Sequence, residues 1–163
     1  MNSVDQWSDF FTASVGASAA LVGLVIVAIS VNVRPILDNP SLPQRAGSTI
    51  SILVLVLAST SVGLIKSQPL RALGIELAIF GLVALVPGWQ SSRASLRITP
   101  RRPWPELLLH IVLAQLTALV MVAAGAVLIA GDGDGFYLVV AAVISGYVVS
   151  CLNAWVLLIE ILR

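Results

Sequence analysis

Charge is what this sequence has least of. Of its 163 residues only 10% are charged, where a water-soluble domain carries about 25%. A surface facing water cannot be built from so few ionised groups, and a mean hydropathy of +1.01 points to lipid as the solvent. Cysteine and histidine are almost missing too, with one of each. Cys151 alone cannot close an internal disulfide, and a metal site needs several ligands. The sequence has no HExxH, no GxSxG and no cluster of metal-ligating types, so no catalytic residue, metal or cofactor is expected. A net charge of +1 is too small for nucleic-acid binding. The opening MNSVDQWSDFF holds Asp5 and Asp9 but no Lys or Arg. It therefore lacks the positive start of a secretory signal peptide, and the first apolar run reads as a retained span.

What the chain does have is long apolar runs. Crossing about 30 Å of hydrocarbon takes roughly 20 apolar residues in a helix. Five stretches qualify: residues 10–33, 46–65, 69–89, 106–130 and 135–162. They predict a single all-α domain, an integral membrane bundle of about five transmembrane helices. Seven prolines, Pro35, Pro40, Pro43, Pro69, Pro100, Pro103 and Pro105, lie outside or at the edges of these runs. Proline is tolerated there because it lacks an N–H and clashes with a preceding turn. Pro87 falls in the last turn of the third run. Lys66-Ser67-Gln68 predicts a tight hairpin between runs two and three rather than one kinked helix.

Lys and Arg favour the cytoplasmic side of short loops. With the N-terminus outside and the C-terminus cytoplasmic, Arg34, Arg45, Arg93, Arg97, Arg101, Arg102 and Arg163 fall inside, and only Lys66 and Arg71 outside. Arg93, Arg97, Arg101 and Arg102 are also candidate contacts for anionic lipid head groups. GDGDG, residues 131–135, becomes an outer turn. A calcium loop starting at Asp132 would need oxygen ligands at the positions of Phe136 and Val143. A phosphate loop would need a following Lys-Ser/Thr. Glycine and aspartate together suit a tight reversal. Trp7, Phe10, Phe11, Phe136 and Tyr137 are expected at the outer interface, and Trp89 and Trp104 at the inner one.

Small residues let helices approach in lipid. The fifth run has Ala142, Gly146, Ser150 and Ala154 at four-residue spacing. The third has Gly74, Ala78 and Gly81. The first has Gly16 with Ala20 and Ala19 with Gly23, beside Ser14 and Ser18. Internal packing is the expected use of these rows, and an interface with another subunit is the alternative.

Polar groups inside a membrane are functional candidates. Glu76 has Lys66, Arg71, Ser59, Thr60 and Ser61 as partners to choose from; it could be protonated, paired, or buried against another protein. His110 is expected near Glu160, with Glu106 competing for it. Gln115 and Asn153 are expected to share a depth and a hydrogen bond.

The stretches DQWSDFFTASVGASAALVGLVIVAISVNVRPIL, LPQRAG, PLRALGIE and LNAWVLLIEILR resemble a family of small multi-pass membrane proteins of actinobacteria and related bacteria. The resemblance covers nearly the whole chain. It implies a bacterial inner membrane and carries over no catalytic residue. Three functional readings follow. The first is a non-catalytic accessory or scaffolding subunit among other integral membrane subunits and lipid, with lipid-import or respiratory assemblies as natural hosts. The second is a homo-oligomeric channel or carrier lined by Glu76, His110, Asn153 and Glu160. The third is an enzyme acting on lipid.

Overall fold

The computed structural model describes the backbone of residues 4–38, 42–98 and 104–159, and the side chains of 4, 6–38, 42–43, 46–86 and 115–155. Six helices, with no strand among the described residues, make up the fold: α1 (Ser8–Val31), α2 (Val33–Asp38), α3 (Leu42–Val62), α4 (Leu70–Ile98), α5 (Trp104–Ala130) and α6 (Gly135–Ile159). Five of them coincide with the five apolar runs, and the short α2 is additional.

The boundaries differ from the expected ones for identifiable reasons. α1 stops at Val31 rather than Val33, four residues ahead of Pro35. A helix running through would need the N–H that Pro35 lacks to bond the Val31 carbonyl. Asn32 closes the end, donating both its backbone N–H (3.3 Å) and its side-chain amide (3.1 Å) to Ala28 O. α3 begins at Leu42, ahead of the expected 46, because Pro43 fits a first helical turn. α4 continues through Pro87 and past 89 to Ile98. Arg93 and Arg97 therefore belong to a helix rather than to a loop, which corrects the sequence expectation.

The α3–α4 connection is the expected hairpin. Its turn holds Ser67 at φ 60°, a left-handed conformation that costs a non-glycine residue about 1–2 kcal/mol. The α5–α6 turn answers the GDGDG question. Gly131 takes φ 92°, its N–H bonds Leu128 O (3.0 Å), and the N–H of Asp132 bonds Val127 O (3.3 Å). These two bonds are a Schellman motif. One residue on, Asp132 Oδ1 accepts the N–H of Asp134 at 2.9 Å, an Asx turn that leads into α6. Two aspartates and three glycines thus end one helix and start the next.

Helices α3, α4, α5 and α6 pack in a ring, each against the next, with α6 returning to α3; α1 lies outside against α3 and α6. The main core joins Leu55 and Val56 of α3, Leu73 and Leu77 of α4, Met121 and Leu128 of α5, and Val139 and Val143 of α6. The closest pair is α4–α5. A Cβ on Gly125 would stand 2.5 Å from Gly74 O, and one on Gly74 would stand 2.7 Å from Gly125 O. Gly81 continues the contact against Val122. Gly146 meets Val56 in the same way, and Ala142, Ser150 and Ala154 are all buried. The small rows of runs three and five are therefore used internally.

The outside of the bundle is apolar. Ile79, Leu82 and Val86 of α4, Leu119 of α5 and Ile144 and Leu152 of α6 are exposed, as are Val27 (62%) and Val83 (63%). Ser8–Val31 and Gly135–Trp155 are each long and apolar enough to cross a membrane. A core helix of a water-soluble fold could pass that length test, but it would be covered; the most apolar window of α1 is only 22% buried.

Gly125→Leu is expected to lower unfolding stability by about 3 kcal/mol, because backbone rather than a flexible side chain must move. Gly16→Leu, with open space around its Cβ, is expected to leave it within about 0.5 kcal/mol. Thermal unfolding in mild detergent measures both. Asp132→Ala should cost about 1 kcal/mol by removing the turn's side-chain hydrogen bond to the N–H of Asp134.

Candidate functional site

The polar groups gather in a few places. At one end of the bundle the N-terminal segment, the α3–α4 turn and the α5–α6 turn meet. Here Trp7 stacks on Phe136 with ring centroids 5.4 Å apart. Tyr137 (5.4 Å) and Phe10 (6.2 Å) stand edge-on to Trp7, and Phe11 packs at 6.3 Å from Phe136. The five aromatic residues grouped from the sequence thus form one cluster. Phe11 is fully buried against Gly63, where a Cβ would come within 2.8 Å of its ring. The companion pair Trp89 and Trp104 lies outside the described side chains.

Lower down, α1 is fastened to α6 by three hydroxyl-bearing residues. Tyr147 donates to Ser14 O at 2.7 Å, Ser18 donates to the same carbonyl at 2.7 Å, and the two hydroxyl oxygens lie 3.1 Å apart. A tyrosine in an apolar setting needs a partner for its O–H, and two serines four residues apart present one helix face. Both signals were present in the sequence, but they lie 133 residues apart and nothing local joins them. Between α5 and α6, Ser145 donates to Ala142 O at 2.9 Å, which leaves Thr117 as donor in the 3.2 Å contact with Ser145.

Gln115 takes a different partner from the expected one. Its amide donates to Leu85 O on α4 at 3.5 Å, and among the described residues no hydrogen bond joins it to Asn153. The cause is register. The Thr117–Ser145 contact sets Asn153 about six residues, or ~9 Å, from the level of Gln115 on the facing helix. Gln115 Oε1 and Ser150 Oγ are buried without a partner among the described residues. Asn153 is half-buried, and Cys151 is exposed.

Glu76 is on α4, six residues after its start. It is half-buried, and Oε2 accepts the side-chain amide of Gln68 at 2.6 Å. Lys66 and Arg71 point outward and are exposed; neither pairs with it, and no bond to Ser59, Thr60 or Ser61 forms. Gln68, the partner the sequence did not suggest, reaches inward because of the left-handed turn at Ser67, which no sequence pattern announces. Ser8, Gly63, Lys66 and Ser67 line a cavity of about 240 Å³ beside this turn.

Of the other candidates, Glu160, Arg101 and Arg102 lie outside the described residues. Arg93 and Arg97 are on the backbone of α4 and His110 on that of α5, with their side chains outside the described ones. Among the described residues no group of three or more His, Cys, Asp or Glu side chains is placed to hold a metal.

Compared with protein-family models, with curated proteins and with solved structures, the chain matches none. What its own geometry defines is an all-helical bundle with an apolar exterior, two helices able to cross a membrane, and polar groups engaged chiefly in joining helices.

Tyr147→Phe removes a bond made across the α1–α6 interface and is expected to cost about 0.6–1.7 kcal/mol, the range for interhelical hydrogen bonds in lipid. Thermal unfolding of the purified variant against wild type measures it.

Proposed function

We propose that this chain is a non-catalytic accessory or scaffolding subunit of a larger bacterial inner-membrane complex. It crosses the membrane five times, with the aromatic end of the bundle outside. The observation that carries this reading is the outer face of α1. Gly16, Ala19, Ala20 and Gly23 are exposed there, and neither glycine has an atom within 4 Å of its Cβ position. The small rows of α4 and α6 serve packing within the chain, whereas this one has no partner among the described residues. Small residues gain nothing from lipid tails, but they let a second helix approach closely. The partner that fits is a transmembrane helix of another subunit.

The distribution of charge supports the orientation. Lys66 and Arg71 are at the aromatic end, and Arg34 follows the far end of α1. Arg93 and Arg97 are in the last turns of α4, towards that far end, where anionic head groups of the cytoplasmic leaflet attract basic clusters. The resemblance implies a bacterial inner membrane, and lipid-import or respiratory assemblies are natural hosts there.

Tagged protein extracted in mild detergent is expected to elute with at least one other membrane protein. The double variant Gly16→Leu/Gly23→Leu should lose that companion while keeping the wild-type unfolding temperature. A wild-type chain that is always a lone monomer, or a double variant that retains its companion, refutes the reading. Reporter fusions between α4 and α5 should report the cytoplasm; the opposite result overturns the orientation.

A further inference from the structure

We propose that Gln68 and Glu76 form a binding site for a hard monovalent cation, for which sodium is the probe. Gln68 is 93% buried by its 7% exposure, and its Oε1 has no hydrogen-bond donor. Its Nε2 is committed to Glu76 Oε2 at 2.6 Å. With Glu76 as a carboxylate, exchanging the amide oxygen and nitrogen does not relieve this, because it would set two acceptors 2.6 Å apart. The pair therefore offers a buried neutral oxygen beside a half-buried carboxylate. A buried acceptor without a donor costs about 1–3 kcal/mol, so an unfilled pair is a standing loss.

The charges around the pair select the ligand. One carboxylate gives a single negative charge, which a monovalent cation balances. Calcium takes about six to eight oxygen ligands, several of them carboxylates, and magnesium keeps its waters and favours phosphate partners. Carboxylate and amide oxygens are hard donors and suit alkali and alkaline-earth ions rather than thiophilic metals. Lys66 and Arg71, the cations on the same turn, hold their side chains in the exposed layer and pair with neither group. Among the described side chains, the other carboxylates at this end are Asp9, Asp132 and Asp134, on α1 and the α5–α6 turn, and they are exposed. The burial of Gln68 also argues against a basic side chain from a partner, because a bulky head group cannot reach an atom this covered. Glu76 lies about 9 Å along α4 from its first residue and is half-buried, so the carboxylate is the accessible side of the pair. This site is independent of the docking face on α1, and its test needs no partner protein.

The test is the thermal unfolding of purified protein in mild detergent, titrated with sodium chloride against choline chloride at constant ionic strength. A ligand that binds only the folded state raises the unfolding temperature as its concentration grows. The wild type is expected to show that rise in sodium and not in choline. Glu76→Gln should abolish it. Gln68→Met, which keeps the volume but removes the oxygen, should require about tenfold more sodium for the same rise. Lys66→Gln should retain it. Equal unfolding temperatures in the two salts for the wild type would overturn the proposal, as would a sodium-dependent rise that survives in Glu76→Gln. Should Glu76→Gln not fold, Glu76→Asp takes its place. It is expected to shift the sodium requirement upward, and an unchanged requirement counts against the site.

Discussion

The backbone contact between Gly74 and Gly125 is the constraint from which the bundle is built. Two helices that bring peptide groups together can slide or rotate very little, because any side-chain atom beyond hydrogen would collide. With α4 and α5 fixed in this way, the four-residue turn after α5 sets α6. The small row of α6 then brings it against α3. The ring closes through Gly146 and Val56. In the membrane proposed as its setting, where covering apolar surface yields little, shape of this kind replaces hydrophobic burial as the organiser.

The polar bonds fit the same picture. They are few, and most run within one helix from a hydroxyl to the carbonyl one turn back, as in Thr12, Ser30, Ser51 and Thr60. Those bonds satisfy the hydroxyl without choosing a neighbour. Among the described residues, bonds that do choose include those at Tyr147, Thr117, Gln115 and Gln68, and each joins segments whose approach is already fixed by small residues or a turn. They select one arrangement from those that shape alone would allow.

Much of this was legible in the sequence, for local reasons. Apolar runs between prolines gave the helices, since length and N–H loss act within a few residues. Glycine and aspartate at 131–135 gave the turn, because they specify it by their own backbone preferences. The small rows of α4 and α6 gave packing faces. The failures are all questions of where a side chain points in three dimensions. Asn153 and Gln115 were matched by counting from the turn, and the true stagger of α5 against α6 separates them. Glu76 was offered charged partners close in sequence and took a glutamine turned inward by a backbone conformation that serine rarely adopts. The glycines of α1 looked like those of α4, but only the neighbours decide whether a groove is filled, and the neighbours are not encoded locally.

The link between Tyr147 and Ser14 has a consequence for biosynthesis. The ribosome makes α1 first and α6 last, so the serine end of this link waits while more than a hundred residues are added. Through that interval α1 has α3 alone to lean on. Its attachment to α6 is therefore a late event in maturation, and until then the α1 face that α6 will cover stays open.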